Sequence, residues 1–374
     1  MDFAFSDEQD EFRDTLRRFL AEKSPAAEMR RVMDSPEGYD AALWKQMASE
    51  LGLQGVAIPE AQGGQGFGFL ELGIVFEEMG RVLLPGPYLA TVGLAAEAIR
   101  AAASPEQQAA LLRGIAAGET LATLAVPEEQ GSWDPADIAL RAEPEGEGAR
   151  LTGRKPFVLD GAQSDLVVVA AREPGGGLGL FAARGDDPGL RATPCDPLDP
   201  LRRHAHLDLE GVRGERLGEG DATAALQRAL HRGAILLAAE MVGAAQRCLE
   251  TSVEYARTRI QFARAIGSFQ AVKHKAAEVL LEVESARSAA YWSWWVAEQD
   301  DPARLAEAAH LAKAVCADTL ARAAAENVQI HGGIGFTWEH DAQLYYKRAR
   351  SADVLLGDAS WHRARLAEGL GLGA

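Results

Sequence analysis

From Asp221 almost to residue 374, apolar residues recur with the helical period over stretches too long for one small domain. Leu226, Leu230, Leu237, Met241, Ala244 and Cys248 share one stripe of a helix running to about Arg257. Val272, Ala276, Val279, Val283, Ala286, Ala290 and Trp294 form a second stripe. Asp301-Pro302 opens a third helix, with a capping side chain followed by proline at the first helical position. Helices of ~45 Å, at 1.5 Å per residue, bury such stripes by packing into a bundle whose ends or flanks meet other subunits. Residues 221–374 therefore read as a four-helix-bundle domain.

The texture upstream differs. Thr120–Val126, Ile138–Ala142, Ala149–Leu159, Asp165–Ala171, Leu178–Ala183 and His204–Leu209 are short runs broken by turn clusters such as Gly175-Gly176-Gly177 and Asp186-Asp187-Pro188. Strands of this length and spacing predict one antiparallel barrel or sandwich over 119–220. Residues 1–118 return to helix. Ser6 with Gln9 forms a capping box ahead of Phe12, Leu16, Phe19 and Leu20, and further helices are expected over about 40–51, 68–82, 88–103 and 105–117. The fold class is thus a multidomain α+β chain: an N-terminal helical domain, a central antiparallel β domain and a C-terminal helical bundle.

Charge narrows the partners. The 38 basic and 55 acidic residues give a formal charge of −17, a field that repels nucleic acid and anionic lipid. An anionic cofactor then needs local cations or backbone donors. Cys195, Cys248 and Cys316 are far apart and form no CxxC pair, which suits a reducing compartment and argues against a structural zinc site. With no signal-like N-terminus and no run of ~18 apolar residues, a cytoplasmic location is expected.

Familiar catalytic signatures are absent: no Walker loop, no HExxH, no Gly-Xaa-Ser-Xaa-Gly and no Gly-Xaa-Gly-Xaa-Xaa-Gly after a strand. His204 and His206 alternate on one strand face, but no Cys or carboxylate completes a metal set, so no metal is expected. Glu339-His340-Asp341 reads the same way, and Tyr291-Trp292-Ser293-Trp294-Trp295 reads as core or subunit packing. Two segments carry more chemistry. Arg257-Thr-Arg259-Ile-Gln261-Phe262-Ala-Arg-Ala-Ile266-Gly267-Ser-Phe269-Gln270 gathers cations, an aromatic and an amide at a helix corner, which suits a dinucleotide pyrophosphate. Gln329-Ile-His331-Gly332-Gly333-Ile-Gly335-Phe336 is a glycine-rich helix end where backbone N–H groups can approach a ligand. Alone, a basic corner is usually a solvated face and a double glycine usually a C-cap.

In this order, and with Ala125-Val-Pro127-Glu128-Glu-Gln-Gly131-Ser132, Leu151-Thr-Gly153-Arg154-Lys155-Pro-Phe157, Tyr345, Arg348 and Ala349, the motifs resemble the acyl-CoA dehydrogenase family over the whole chain. The resemblance implies an FAD held between two subunits. It also implies a carboxylate that removes the acyl α-proton while the β-hydride passes to flavin N5, and an electron-transferring flavoprotein as acceptor. The half-site for the pyrophosphate and adenosine matches well: Arg259, Phe262, Gln270, Gln329 and Gly333, with Ala263 in place of the usual glycine. The half-site for the flavin ring matches poorly. Leu356 stands at the usual glutamate position, Gly233 at the alternative one, Pro127 and Leu159 at two threonine positions; Phe157 keeps the aromatic beside the ring. Leucine cannot take a proton.

The leading expectation is therefore a companion subunit, resembling the degenerate subunit of hetero-oligomeric members and lending half an FAD site to a catalytic partner that acts on an acyl-CoA. One alternative is a self-sufficient homo-oligomeric dehydrogenase with a displaced base, for which Glu240 on the apolar stretch Leu236–Val242 is the candidate, although pairing with a nearby arginine or amide is the simpler role. A second alternative is a non-catalytic acyl-CoA-binding or assembly protein without flavin. An oxidase or monooxygenase on the same fold has no support in the sequence.

Overall fold

A computed structural model describes residues 5–146 and 148–372. The chain forms two compact units, a helical one built from the stretches up to Arg31, Phe69–Leu84 and from Ala234 on, and a mixed one of Val32–Gly68 and Pro85–Gly233.

In the helical unit, Asp7–Lys23 starts at the expected capping box: Ser6 Oγ accepts from Gln9 N at 3.3 Å and Gln9 Oε1 accepts from Ser6 N at 3.0 Å. Asp7, Glu8 and Asp10 in its first turn complement the helix dipole. Helix Phe69–Arg81 is buried from Leu72 to Gly80. Gly80 and Gly243 let it cross the long helix Thr223–Thr258 with backbones touching, because a Cβ on either would strike the Glu240 or Glu77 carbonyl. The bundle continues with Gln270–Gln299, Pro302–His331, Ala342–Val354 and Ala359–Gly369. Asp301 caps Pro302–His331 by accepting from Ala303 N, as Asp301-Pro302 predicts. Trp294 is fully buried.

The mixed unit holds seven strands: β1 Ala122–Ala125, β2 Arg141–Glu145, β3 Gly148–Leu159, β4 Leu166–Arg172, β5 Leu178–Arg184, β6 Leu190–Pro194 and β7 His204–Arg216. β2–β3, β3–β7, β7–β5 and β5–β4 pair antiparallel, and a parallel contact at Arg141↔Arg172 joins β4 to β2, so the pairings close into a small barrel. Leu151, Val158, Val167, Val169, Phe181, Leu207 and Val212 belong to its core. The sheet is not wholly antiparallel: β1 runs parallel to β4, because the chain returns to β4 through the β2–β3 hairpin. β6, an edge strand on β7 whose alternation is limited to the half-buried Leu190 and Ala192, falls outside the expected strands.

Upstream, Leu89–Ala95 is a fully buried π-helix that runs into Ala96–Ala102. Thr91 Oγ1 donates to Ala122 O and accepts from Ala122 N, tying it to β1.

Candidate functional site

Thr223–Thr258 ends in a two-stranded hairpin, Ile260–Gln261 against Arg264–Ala265, with Phe262 and Ala263 as its turn. Their φ values of 53° and 61° are the positive pair that a two-residue hairpin turn requires. Phe262 stands 88% exposed at the tip. Arg264 lies over the Phe269 ring at 4.1 Å, and Gln270 begins the next helix with an exposed side chain. Arg259 is exposed on the approach to the turn.

Helix Pro302–His331 ends at Gly332, whose φ of 64° and ψ of −142° exclude side chains, and Gly332–Phe336 continues as a single 3₁₀ turn. Gly333 has a different reason to be glycine. A Cβ built there meets nothing, so intramolecular packing does not demand its absence and its backbone is open to close approach. Gln329 is exposed one turn before it.

A buried hydrogen bond and a partly exposed ion pair hold these two segments at one end of the bundle. Asn327 Oδ1 accepts from Ser252 Oγ at 2.9 Å, and Lys275 pairs with Glu326 at 2.6 Å. The His331 ring donates through Nδ1–H to Asn327 O at 2.8 Å and lies tilted against Tyr255, at 4.4 Å, and His340, at 4.2 Å. The structure thus brings Arg259, Phe262, Gln270, Gln329 and Gly333 to one exposed end. Cations, amides and an unobstructed glycine backbone form a donor set that fits a pyrophosphate. A cavity of about 560 Å³ opens nearby, lined by Arg17, Arg81, Arg247, Asn327, His340 and Tyr345 among others.

Leu356 is 3% exposed and sits at a φ of 62° in the turn between Ala342–Val354 and Ala359–Gly369. That backbone costs a leucine ~1–2 kcal/mol, so the surroundings must impose it. They do so with buried side chains: Lys313 Nζ donates to Asp353 O at 2.9 Å and Gly357 O at 2.8 Å, and His362 Nε2 lies 3.0 Å from Leu356 O. His310 Nδ1 meets His362 Nδ1 at 2.9 Å behind it. Glu240 is buried and accepts from Arg348 Nη1 at 2.6 Å.

In the mixed unit, Gly233 is buried on the long helix, next to an Arg232–Glu97 ion pair. Phe157 falls where the β3–β7 register slips between Lys155 and Val158; the slip turns its side chain outward, 57% exposed, at a φ of 53°. Its ring meets His206 edge-on at 4.8 Å. Burial pushes the His204 imidazole down to about 4. Among the described residues no group of three or more His, Cys, Asp or Glu side chains is arranged to hold a metal, and no helix is long and apolar enough to cross a membrane.

Sequence reasoning missed the side chains that brace these positions. Lys155 is wholly buried, its Nζ donating to Val126 O at 3.0 Å and Glu128 Oε1 at 2.9 Å. Its one signal was a lysine two residues before Phe157 on a strand, a pattern that surface lysines also give. Lys313 had no signal beyond an apolar helix face.

Comparison with known proteins agrees with this architecture. Residues 6–119 match the acyl-CoA dehydrogenase N-terminal domain, and residues 221–371 match the acyl-CoA dehydrogenase C-terminal domain. Acyl-CoA dehydrogenase IpdE2 of Mycobacterium tuberculosis (strain ATCC 25618 / H37Rv) is 35% identical over 350 residues, 94% of this chain and 93% of that one. The Tcur3481-Tcur3483 steroid ACAD superposes with a TM-score of 0.89 at 31% identity, covering 97% of this chain and 98% of the other. The ChsE4-ChsE5 complex of Mycobacterium tuberculosis gives a TM-score of 0.90 at 28% identity over 100% of both chains. Fold and sequence together define a flavin-dependent oxidoreductase of the type that normally binds FAD. The chain belongs to the acyl-CoA dehydrogenase family.

Proposed function

We propose that this chain is the companion subunit of a hetero-oligomeric acyl-CoA dehydrogenase, contributing the pyrophosphate-and-adenosine half of an FAD site to a partner that carries the base. One observation carries the reading. The two positions where the family keeps its glutamate hold a buried leucine, Leu356, and a buried glycine, Gly233, while the residues matched to the nucleotide tail remain exposed and together. Arg259 and Gln270 would meet the phosphates, Gln329 and the Gly333 backbone would line the approach, and Phe262 would cover the nucleotide from the hairpin tip. Phe157 belongs to this chain's own ring half-site, apart from the FAD whose tail the corner would hold. When bound, FAD supplies the hydride acceptor for α,β-desaturation of an acyl-CoA. The chain's own residues bind and orient it and supply no proton acceptor at either family position.

On this reading the expected domains 1–118, 119–220 and 221–374 follow the family plan, the assembly is cytoplasmic, and electrons leave to an electron-transferring flavoprotein. The ChsE4-ChsE5 structure, a complex of two differently named chains, supports the two-chain arrangement, and the steroid ACAD supports including ring-bearing thioesters among the substrates to be assayed.

The self-sufficient alternative needs Glu240 as base. Removing that carboxylate's charge would break a buried ion pair with Arg348, a loss of ~3–5 kcal/mol for such pairs, which argues for a structural role. The test is to purify the chain alone and with its partner, and to record flavin absorbance and acyl-CoA dehydrogenation. One FAD per two chains and turnover only in the complex is the expected result; full FAD and turnover in the isolated chain overturns it.

A further inference from the structure

The cavity of about 560 Å³ in the helical unit is lined by none of the residues matched to the nucleotide. One side of it is apolar. Leu20 and Met29 are buried there, Val82 is half-buried, and Ala21, Pro25 and Ala26 line the corner where Asp7–Lys23 gives way to helix Ala26–Met33. The other side is polar, with Arg17, Glu78, Arg81, Arg247, Thr251 and His340. Space of this size holds a small organic molecule, and a lining so divided suits one with a polar head and a hydrocarbon body.

The charges of the polar side fall into pairs. Arg17 donates from Nε and Nη2 to Glu78 at 2.9 and 2.7 Å. Arg81 donates from Nη1 and Nη2 to Glu250 at 3.1 and 2.8 Å. Asp341 accepts from Arg30 Nε at 3.0 Å. Burial holds the His340 ring below its ordinary pKa, so at neutral pH it adds no charge. Arg247 stands apart. Glu250, its one carboxylate within 4 Å among the described residues, lies 3.7 Å away and already accepts from Arg81 and, at 2.8 Å, from Gln246. Among the described residues the Arg247 guanidinium makes no hydrogen bond, and its side chain is 42% exposed.

A guanidinium presents its donors in a planar fork that matches the two oxygens of a carboxylate. With its neighbours paired, Arg247 leaves the lining one uncompensated positive charge, which a single carboxylate balances. A phosphate dianion would bring a second negative charge against a wall that already contains Glu78 and Asp341. We propose that the cavity binds an aliphatic monocarboxylate, its head on Arg247 and its chain against Leu20, Met29 and Val82. The site lies ~16 Å along the long helix from the end at Thr258 that leads into the nucleotide corner, and it does not depend on the flavin reading. Cleavage of an acyl-CoA thioester by water, to a free thiol, a proton and a carboxylate, yields an anion of this class. The cavity thus takes the unactivated acid and not the thioester, whose carbonyl carries no charge for Arg247 to hold.

Isothermal titration calorimetry of the full chain with octanoate, decanoate, octan-1-ol and inorganic phosphate tests this. Octanoate should bind saturably at one site per chain, and decanoate more tightly, by up to about fourfold for each added methylene. Octan-1-ol, with the same chain and no charge, should bind about tenfold more weakly than octanoate, and inorganic phosphate should give no heat of binding. Arg247→Gln should weaken octanoate about tenfold, and Arg247→Lys should recover part of that loss by restoring a point charge. Arg247 has no hydrogen bond to lose, so both variants should unfold at the wild-type urea concentration. Octanoyl-CoA should not displace octanoate. Absence of saturable octanoate binding up to millimolar concentration overturns the site, as does an unchanged affinity in folded Arg247→Gln. Octan-1-ol or phosphate binding as tightly as octanoate overturns the ligand class. Displacement by octanoyl-CoA would put octanoate in a thioester pocket and overturn a separate site.

Discussion

The side-chain ammonium of Lys313 sits 2.8 Å from the Gly357 carbonyl, and through this contact the middle of helix Pro302–His331 fixes the turn that carries Leu356. A second bond, to Asp353 O at 2.9 Å, holds the other side of the turn. The position proposed to match the family's glutamate is thus kept in a defined backbone shape around an alkyl side chain. Lys313→Met should leave two carbonyls without their buried donor and cost ~3 kcal/mol or more, read by urea denaturation. A change below ~1 kcal/mol would mean that the turn holds itself.

Ala263 occupies a left-handed position that glycine adopts freely, at a φ of 61°. Ala263→Gly should raise stability by ~0.5–1 kcal/mol, with the chain-entropy cost of glycine offsetting part of the relieved strain. The urea midpoint of the isolated chain reports it.

For Glu240→Gln, the buried partner Arg348 loses its counter-charge, and a fall of ~3–5 kcal/mol in stability is expected. Turnover per folded complex should stay unchanged, measured as kcat at saturating acyl-CoA. Loss of kcat without loss of stability would return Glu240 to the role of base.

Gly333 separates structure from binding. Its missing Cβ faces open space, so Gly333→Ala should shift the melting temperature of the isolated chain by less than ~1 °C. FAD retention by the complex should drop, as the added methyl intrudes where the nucleotide backbone is expected to lie. Equal FAD content in mutant and wild type would remove Gly333 from the cofactor site.

Acid should destabilise the mixed unit before its carboxylates protonate. Burial lowers both His204 and His231 to about 4, so the native state refuses protons that the unfolded chain accepts near 6.5. Their neutral forms contribute fully above about 6.5, and that contribution declines by at most ~1.4 kcal/mol per pH unit per histidine as pH falls toward 4. Denaturation midpoints at pH 7, 6 and 5 give the slope, and His204→Asn should flatten it.

The sequence made the helices legible wherever apolar spacing and capping agreed, as at Ser6 with Gln9 and at Asp301-Pro302. Helix Ala26–Met33 escaped because two turns carry too little period to stand out, and β6 because an edge strand that half-buries only Leu190 and Ala192 gives too short an alternation. The parallel pairing of β1 with β4 is a matter of topology, which local pattern does not encode. At the site, the exposed corner was legible because fixed cations and glycines leave a chemical trace. The braces were not: Lys155 and Lys313 are lysines in apolar company, and only tertiary contact shows that each is fully enclosed.

Phe262 at 88% exposure and Phe336 at 83% leave bare aromatic rings at the end of the helical unit. Uncovered rings of this size make a protein adhesive toward itself and toward chaperones. On the companion-subunit proposal, copies made in excess of a partner carry a solubility burden, and balanced synthesis of the two polypeptides would keep these tips sheathed.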